Sequence, residues 1–257
     1  MITASPTENL TGITIQGDFD DFNELVDSIY RLTATDEEKT DYYFGAKSRL
    51  LGVCYEIRHA CMSNRNIILK DNGMTSEKMG WHNKITPTQN VYYSVNILFP
   101  EAIFIAASAS SMCSLSFLNY GIRGRARAEH KYAPSFSFSN YIRDKANLHN
   151  LCTGIWQALG EVIGDEELEN IYRLRERTDE DYMDYVTHYI DKCNIELIDT
   201  AVEKRKDKLR NIAKRIIKKP QGYKSMEYDL NYWAKEYKTT IYELYDSKLE
   251  YPEDIEW

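Results

Sequence analysis

Seventeen consecutive residues without a charge, "AIFIAASASSMCSLSFL" (102–118), constrain this chain more than any other stretch. A helix that is apolar on every side has to be surrounded, by lipid or by the rest of the protein. At 1.5 Å per residue the run reaches about 26 Å, short of a hydrocarbon core of about 30 Å. Five serines lower its hydropathy further. The basic residues that follow, Arg123, Arg125 and Arg127, have the form of a cytoplasmic flank, but every other segment is soluble in character. The expectation is therefore a central core helix and no membrane. Pro100 and Glu101 suit its first turn.

The elements that would wrap such a helix are legible around it. "TGITIQGD" (11–18) alternates Ile13 and Ile15 with polar residues, which predicts a short strand. Phe22, Leu25, Val26 and Ile29 follow at helical spacing, with Asp21 and Glu24 spaced as a capping box. The acidic trio Asp18, Asp20 and Asp21 has the look of a cation site, yet N-capping explains it better. A second helix carries Tyr43, Ala46, Leu50, Val53, Cys54, Ile57 and Cys61 on its stripe, with Thr35 and Glu38 as a capping pair. "RNIILKDNG" (65–73) predicts a strand that could pair with the first, and 91–99 fits either a third strand or the start of the central helix. A long helix is expected over about 140–159. At 257 residues, 43% hydrophobic and 28% charged, the chain is long and apolar enough for one large core.

Charge is unevenly placed. Residues 161–184 carry ten acids against three bases, and residues 201–219 nine bases against two acids. Matched opposite charges in one chain predict that the two segments pack together. The alternative is that the basic helix (204–219) and the loop around Arg123, Arg125, Arg127 and Lys131 bind an anion or nucleic acid. A net charge of −8 makes that the less favoured reading. Near the end, Lys238 stands where a helix-turn-helix wants glycine, and Glu243 and Asp246 would repel phosphate.

Five cysteines without CxxC spacing predict free thiols in a reducing compartment, and the N-terminus has no export signal, so a cytoplasmic protein is expected. Cys54 and Cys61 lie about 10 Å apart along one helix, too far for one zinc, so no metal is expected. There is no nucleotide-binding or hydrolase motif, and no cofactor is implied.

One stretch does look like chemistry. "RDKANLH" (143–149) is similar in form to the nuclease motif of HEPN ribonucleases, which implies Arg143 and His149 as catalytic candidates at a dimer cleft. Six residues apart on a helix, their directions diverge by about 120°. With 14 arginines and 5 histidines, chance alone places about one such pair (~0.8) in the chain, and three are present. The expectation is that the pair is structural.

Finally, "NLTGITIQGDFDDFNELVDSIYRL", "SRLLGVCYEIRHA", the "ITPTQNVYYSVNILFPEA" run and the tail "DLNYWAKEY…IYELYD…YPEDIEW" together resemble an uncharacterised bacterial family of unknown function over most of the chain. That resemblance implies no activity and no site residues. The reading as a whole is a predominantly helical α+β protein. It has an N-terminal α+β region with a small β element (1–99), a helical region with the central apolar helix and the basic and acidic helices (100–219), and a Tyr/Trp-rich helical appendage (220–257), expected as one continuous globular unit. The expected function is non-catalytic interaction or regulation, with a protein partner or self-association as a homodimer. A ribonuclease using Arg143 and His149, and a nucleic-acid module, are the alternatives.

Overall fold

The computed structural model describes residues 1–34, 43–121, 136–178 and 181–257. Four strands form one antiparallel sheet: β1 (Thr3–Pro6), β2 (Gly12–Gly17), β3 (Asn66–Asp71) and β4 (Gln89–Leu98), in the order β1-β2-β4-β3. Nine α-helices accompany them among the described residues. They are α1 (Phe19–Leu32), α2 (Phe44–Cys61), α3 (Ser76–His82), α4 (Phe99–Ser116), α5 (Phe138–Ile163), α6 (Asp165–Arg177), α7 (His188–Ile198), α8 (Val202–Lys218) and α9 (Gln221–Tyr237).

The fold is thus mostly helical α+β. Residues 91–98 belong to a strand, and Phe99 opens the next helix with Pro100 in its first turn. β3 pairs with β4 and not with β2, because the 66–71 and 89–98 segments form their own hairpin around α3. β4 then joins the two halves of the sheet, setting Ile15 opposite Val95 and Ile13 opposite Ile97. These four side chains are buried toward the helices.

The apolar run behaves as a core element. Phe99–Asn119 is long and apolar enough to cross a membrane by length and composition. Here Phe99, Ile103, Phe104, Ile105, Met112 and Cys113 are buried, and α2, α5, α7, α8, β2 and β4 all pack against α4. Each such side chain withdrawn from water stabilises the fold by roughly 1.5–3 kcal/mol. The buried cluster runs without a break from Ile13 to Tyr223.

Local signals fix the ends of the elements. Asp18 caps α1: its carboxylate accepts from the Asp21 N–H at 2.8 Å, and the Asp18 N–H donates to the Asp21 side chain at 3.3 Å. The capping box therefore starts three residues earlier than the Asp21–Glu24 spacing suggested, and the acidic trio is accounted for by capping. Thr35 and Glu38 lie outside the described residues. α9 stops at Lys238, held at φ 53°, the position a glycine takes more easily. The tail then returns to the body. Tyr251 donates to Asp191 at 2.6 Å, Asn194 donates to the Tyr251 hydroxyl at 2.8 Å, and Asn9 donates to the Trp257 carbonyl at 3.0 Å.

Candidate functional site

Arg143 and His149 both lie on α5, in different surroundings. Arg143 is exposed, and its guanidinium donates to Asn140 one turn back at 3.1 Å. His149 is half-buried beside the buried Leu148. Burial lowers its pKa, and the nearby Lys145 lowers it further, so the ring is biased toward the neutral form.

The residue between them matters more. Asp144 is fully buried and accepts from Arg31 Nε at 2.8 Å and Nη2 at 2.7 Å, from Ser28 at 3.1 Å and from Tyr120 at 3.0 Å. A two-pronged guanidinium with two hydroxyls is what a desolvated carboxylate requires. The network bolts α5 to α1.

The basic candidates divide. Arg123, Arg125, Arg127, His130 and Lys131 lie outside the described residues. On the basic helix α8, Arg205 is buried and donates to the carbonyls of Asn9, Ile198 and Thr200 and to the Thr11 hydroxyl. Lys214 meets Glu167 of the acidic segment at 2.8 Å, and Lys219, just past α8, meets Asp184 at 3.3 Å. Lys208 and Arg215 converge on Glu196 of α7 at 3.0 and 2.6 Å. Lys204, Lys206 and Lys218 are the bases of α8 that stay exposed with no ion pair among the described residues. The acidic and basic segments do pack in one chain, and this face of α8 is already neutralised.

Carboxylates gather in one other place. Arg49 of α2 holds Glu101 at 3.5 Å and Asp191 at 2.5 Å, and Asp191 also accepts from Tyr251. Burial raises the Glu101 pKa against the pull of Arg49. The cluster clamps α2, α4, α7 and the tail to one another. Among the described residues no group of three or more His, Cys, Asp or Glu is arranged to hold a metal ion. The five cysteines are free thiols, and burial pushes Cys54 and Cys193 up to about 12 and Cys113 up to about 11.

A large concave feature lies elsewhere, between α7, α9 and the 244–249 turn. It is a groove of about 800 Å³. Met226 and Leu230 of α9 form a floor continuous with the core. Trp233 and Tyr237, stacked with ring centres 5.6 Å apart, form a wall together with Leu244, Tyr245 and Leu249. Asp199, Asp229 and Asp246 are exposed on its rim, against Lys192 and Lys248. Glu196 also lines it, already satisfied by Lys208 and Arg215. The arrangement offers an apolar trough of binding-site size with excess negative charge. Sequence reading marked 220–257 only as a Tyr/Trp-rich helical appendage and missed the groove. The signal was present: Met226, Leu230, Trp233 and Tyr237 recur at i, i+4, i+7 and i+11, one stripe of a helix.

A family model described as a domain of unknown function, DUF6904, matches residues 2–257. The chain belongs to this family. The match takes in the sheet, the central helix and every residue of the groove, as the whole-chain resemblance implied, and it attaches no activity to any of them. No curated protein and no solved structure matches the chain.

Proposed function

We propose that the protein is a non-catalytic interaction or regulatory protein of the bacterial cytoplasm, whose groove between α7 and α9 receives an apolar, positively charged segment of a partner protein. The groove carries this reading. Its floor and walls are aromatic and aliphatic, its rim has more carboxylates than amines, and Trp233, Tyr237 and Tyr245 stand exposed over it. Aromatic anchors ringed by charge suit helix-in-groove recognition, and the sign of the rim selects a basic segment. The free cysteines fit a reducing compartment. Phosphate recognition is less favoured, since most bases of α8 already have acceptors within the chain.

The test is fluorescence anisotropy with two labelled amphipathic helical peptides that differ only in Lys or Glu on the polar face. The basic peptide should bind, weaken with salt, and lose at least about tenfold in affinity to Trp233→Ala, equivalent to ~1.4 kcal/mol. Equal binding of both peptides, or none of either, refutes the reading. RNA cleavage by the wild type that disappears in His149→Ala would replace it with the nuclease alternative.

A further inference from the structure

The sheet has two edges, and they are not alike. β1 packs on α5 so closely that a Cβ on Gly154 would sit 3.2 Å from the Ala4 Cβ. β3, on the other edge, is largely exposed. The direction of its backbone groups can be assigned. The Asn72 N–H donates to the Thr88 carbonyl at 3.0 Å, continuing the ladder that pairs Asp71 with Gln89. Hydrogen-bonded and non-bonded pairs alternate along an antiparallel ladder. Hence Asn66, Ile68 and Lys70 bond inward to β4, while Ile67, Leu69 and Asp71 hold their N–H and C=O groups outward.

The same residues carry the apolar side chains. Ile67 stands opposite Tyr93 and Leu69 opposite Val91, so they share the sheet face of Val95 and Ile97. Within the molecule that face is core. At β3 the helices no longer cover it, and Ile67, Leu69 and Val91 are 47%, 59% and 46% exposed. Open edges of this kind are usually guarded, most often by a lysine or a proline. β3 contains no proline, and Lys70 lies on the opposite face with its ammonium 4.5 Å from the centre of the Tyr92 ring. The edge is unguarded.

We infer that β3 is the two-fold interface of a homodimer, pairing antiparallel with the β3 of a second copy and with Ile68 on the axis. Two constraints select this register. Outward-facing residues must meet outward-facing residues for the backbone bonds to close, which leaves Ile67, Ile68 or Leu69 as residues near the strand centre that can sit on the axis. With Ile67 there, Arg65 meets an apolar Leu69. With Leu69 there, Asp71 meets an apolar Ile67. With Ile68 there, Ile67 meets Leu69 of the partner subunit and Arg65 meets Asp71 of the partner subunit, each contact made twice. Arg65 uses Nε on Glu56 and Nη1 on the Asn64 carbonyl, which leaves Nη2 for the new carboxylate.

The two sheets become one of eight strands. A stable interface takes about 800 Å² from each partner, more than one strand pair supplies. The rest is at hand on the β3–β4 connection. Trp81 and Ile85 are among the most exposed apolar side chains in the chain. In this register the segment beyond Asp71 runs beside the partner's end of α2, where Met62 is also exposed. A tryptophan alone buries about 150–250 Å².

Sedimentation or light scattering at about 50 μM tests the state, and an axis-specific cross-link tests the register. In a non-bonded antiparallel pair the Cα atoms approach to about 4.5 Å, within disulfide range. Ile68→Cys should therefore give a covalent dimer under mild oxidation, while Ile67→Cys and Leu69→Cys give far less. Leu69→Lys should give a monomer with an unchanged circular dichroism spectrum, since the side chain is exposed in the single chain. Asp71→Arg should weaken the dimer about tenfold, and adding Arg65→Asp should restore it. A monomeric wild type, a dimer indifferent to Leu69→Lys, or cross-linking favoured at 67 or 69 over 68 each overturns the inference. None of these results bears on the groove of α9.

Discussion

Replacing Asp144 separates the structural from the catalytic reading of "RDKANLH". The carboxylate has no exposed surface and accepts four hydrogen bonds, two from Arg31 at 2.8 and 2.7 Å, one from Ser28 at 3.1 Å and one from Tyr120 at 3.0 Å. Asp144→Ala leaves the Arg31 guanidinium without this partner and takes the acceptor from the Ser28 and Tyr120 hydroxyls, of which Ser28 still accepts from Asn147. Removing one member of a buried ion pair costs about 3–5 kcal/mol. For a chain of about this size each kcal/mol lowers Tm by ~2–4 °C, so the loss should be on the order of 10 °C. Arg143→Ala, one residue earlier, removes an exposed side chain with one bond to Asn140 and should stay within about 0.5 kcal/mol of wild type. The paired change Arg31→Met with Asp144→Leu should recover much of the loss, because it removes both charges together. Thermal melts followed by circular dichroism measure all of these. If Arg143→Ala destabilises as much as Asp144→Ala, the motif's role has been assigned to the wrong residue.

Two further outcomes follow from close contacts and from burial. A Cβ at Gly12 would lie 2.2 Å from the Ile97 carbonyl oxygen and 2.8 Å from the Trp257 ring, and a backbone carbonyl in mid-sheet cannot retreat; Gly12→Ala should cost about 1–3 kcal/mol in the same melts and disturb the docked tail. His149 and His188 both have pKa values lowered by burial. The unfolded chain, with histidine near pH 6.5, then binds more protons than the folded one, so both groups lose stability for the fold as pH falls through that value and below. His149→Gln should flatten the fall in Tm between pH 7 and 5, and an unchanged slope would show that its burial is energetically silent.

What the sequence disclosed depended on whether a signal was local. The i, i+3, i+4 stripe of α1 and the charge-free run of α4 are statements about single helices, and both are met by the buried Phe22, Leu25, Ile29, Ile103 and Phe104. Strand pairing is not local. Nothing between residues 66 and 71 says whether they will lie beside β2 or β4, and the length of the intervening α3 arm does not forbid either. The buried Asp144 illustrates the same limit. Its neighbours Arg143 and His149 attracted notice by their type, while its partners Ser28 and Arg31 lie more than a hundred residues away along the chain. The groove was partly legible, as a stripe on α9, but a stripe facing a partner and a stripe facing the core have the same spacing.

The opposed charges of 161–184 and 201–219 show how far a composition argument reaches. Neutralisation inside one chain was the right expectation, since Lys214 finds Glu167 and Lys219 finds Asp184. Yet Glu196, the acid that takes both Lys208 and Arg215, belongs to α7 and lies outside the acidic run. Net charge fixes only that counter-charges must be near, because exposed pairs contribute ~0–1 kcal/mol each and do not choose their partners. Packing chooses: Leu209, Ile212, Ala213, Ile216 and Ile217 turn one side of α8 to the core. The bases on its flanks then meet whichever acids the adjoining helices present. The same logic leaves Asp199 and Asp229 facing the groove without an ion pair among the described residues. On the proposed reading, a basic side chain of a partner would supply that counter-charge.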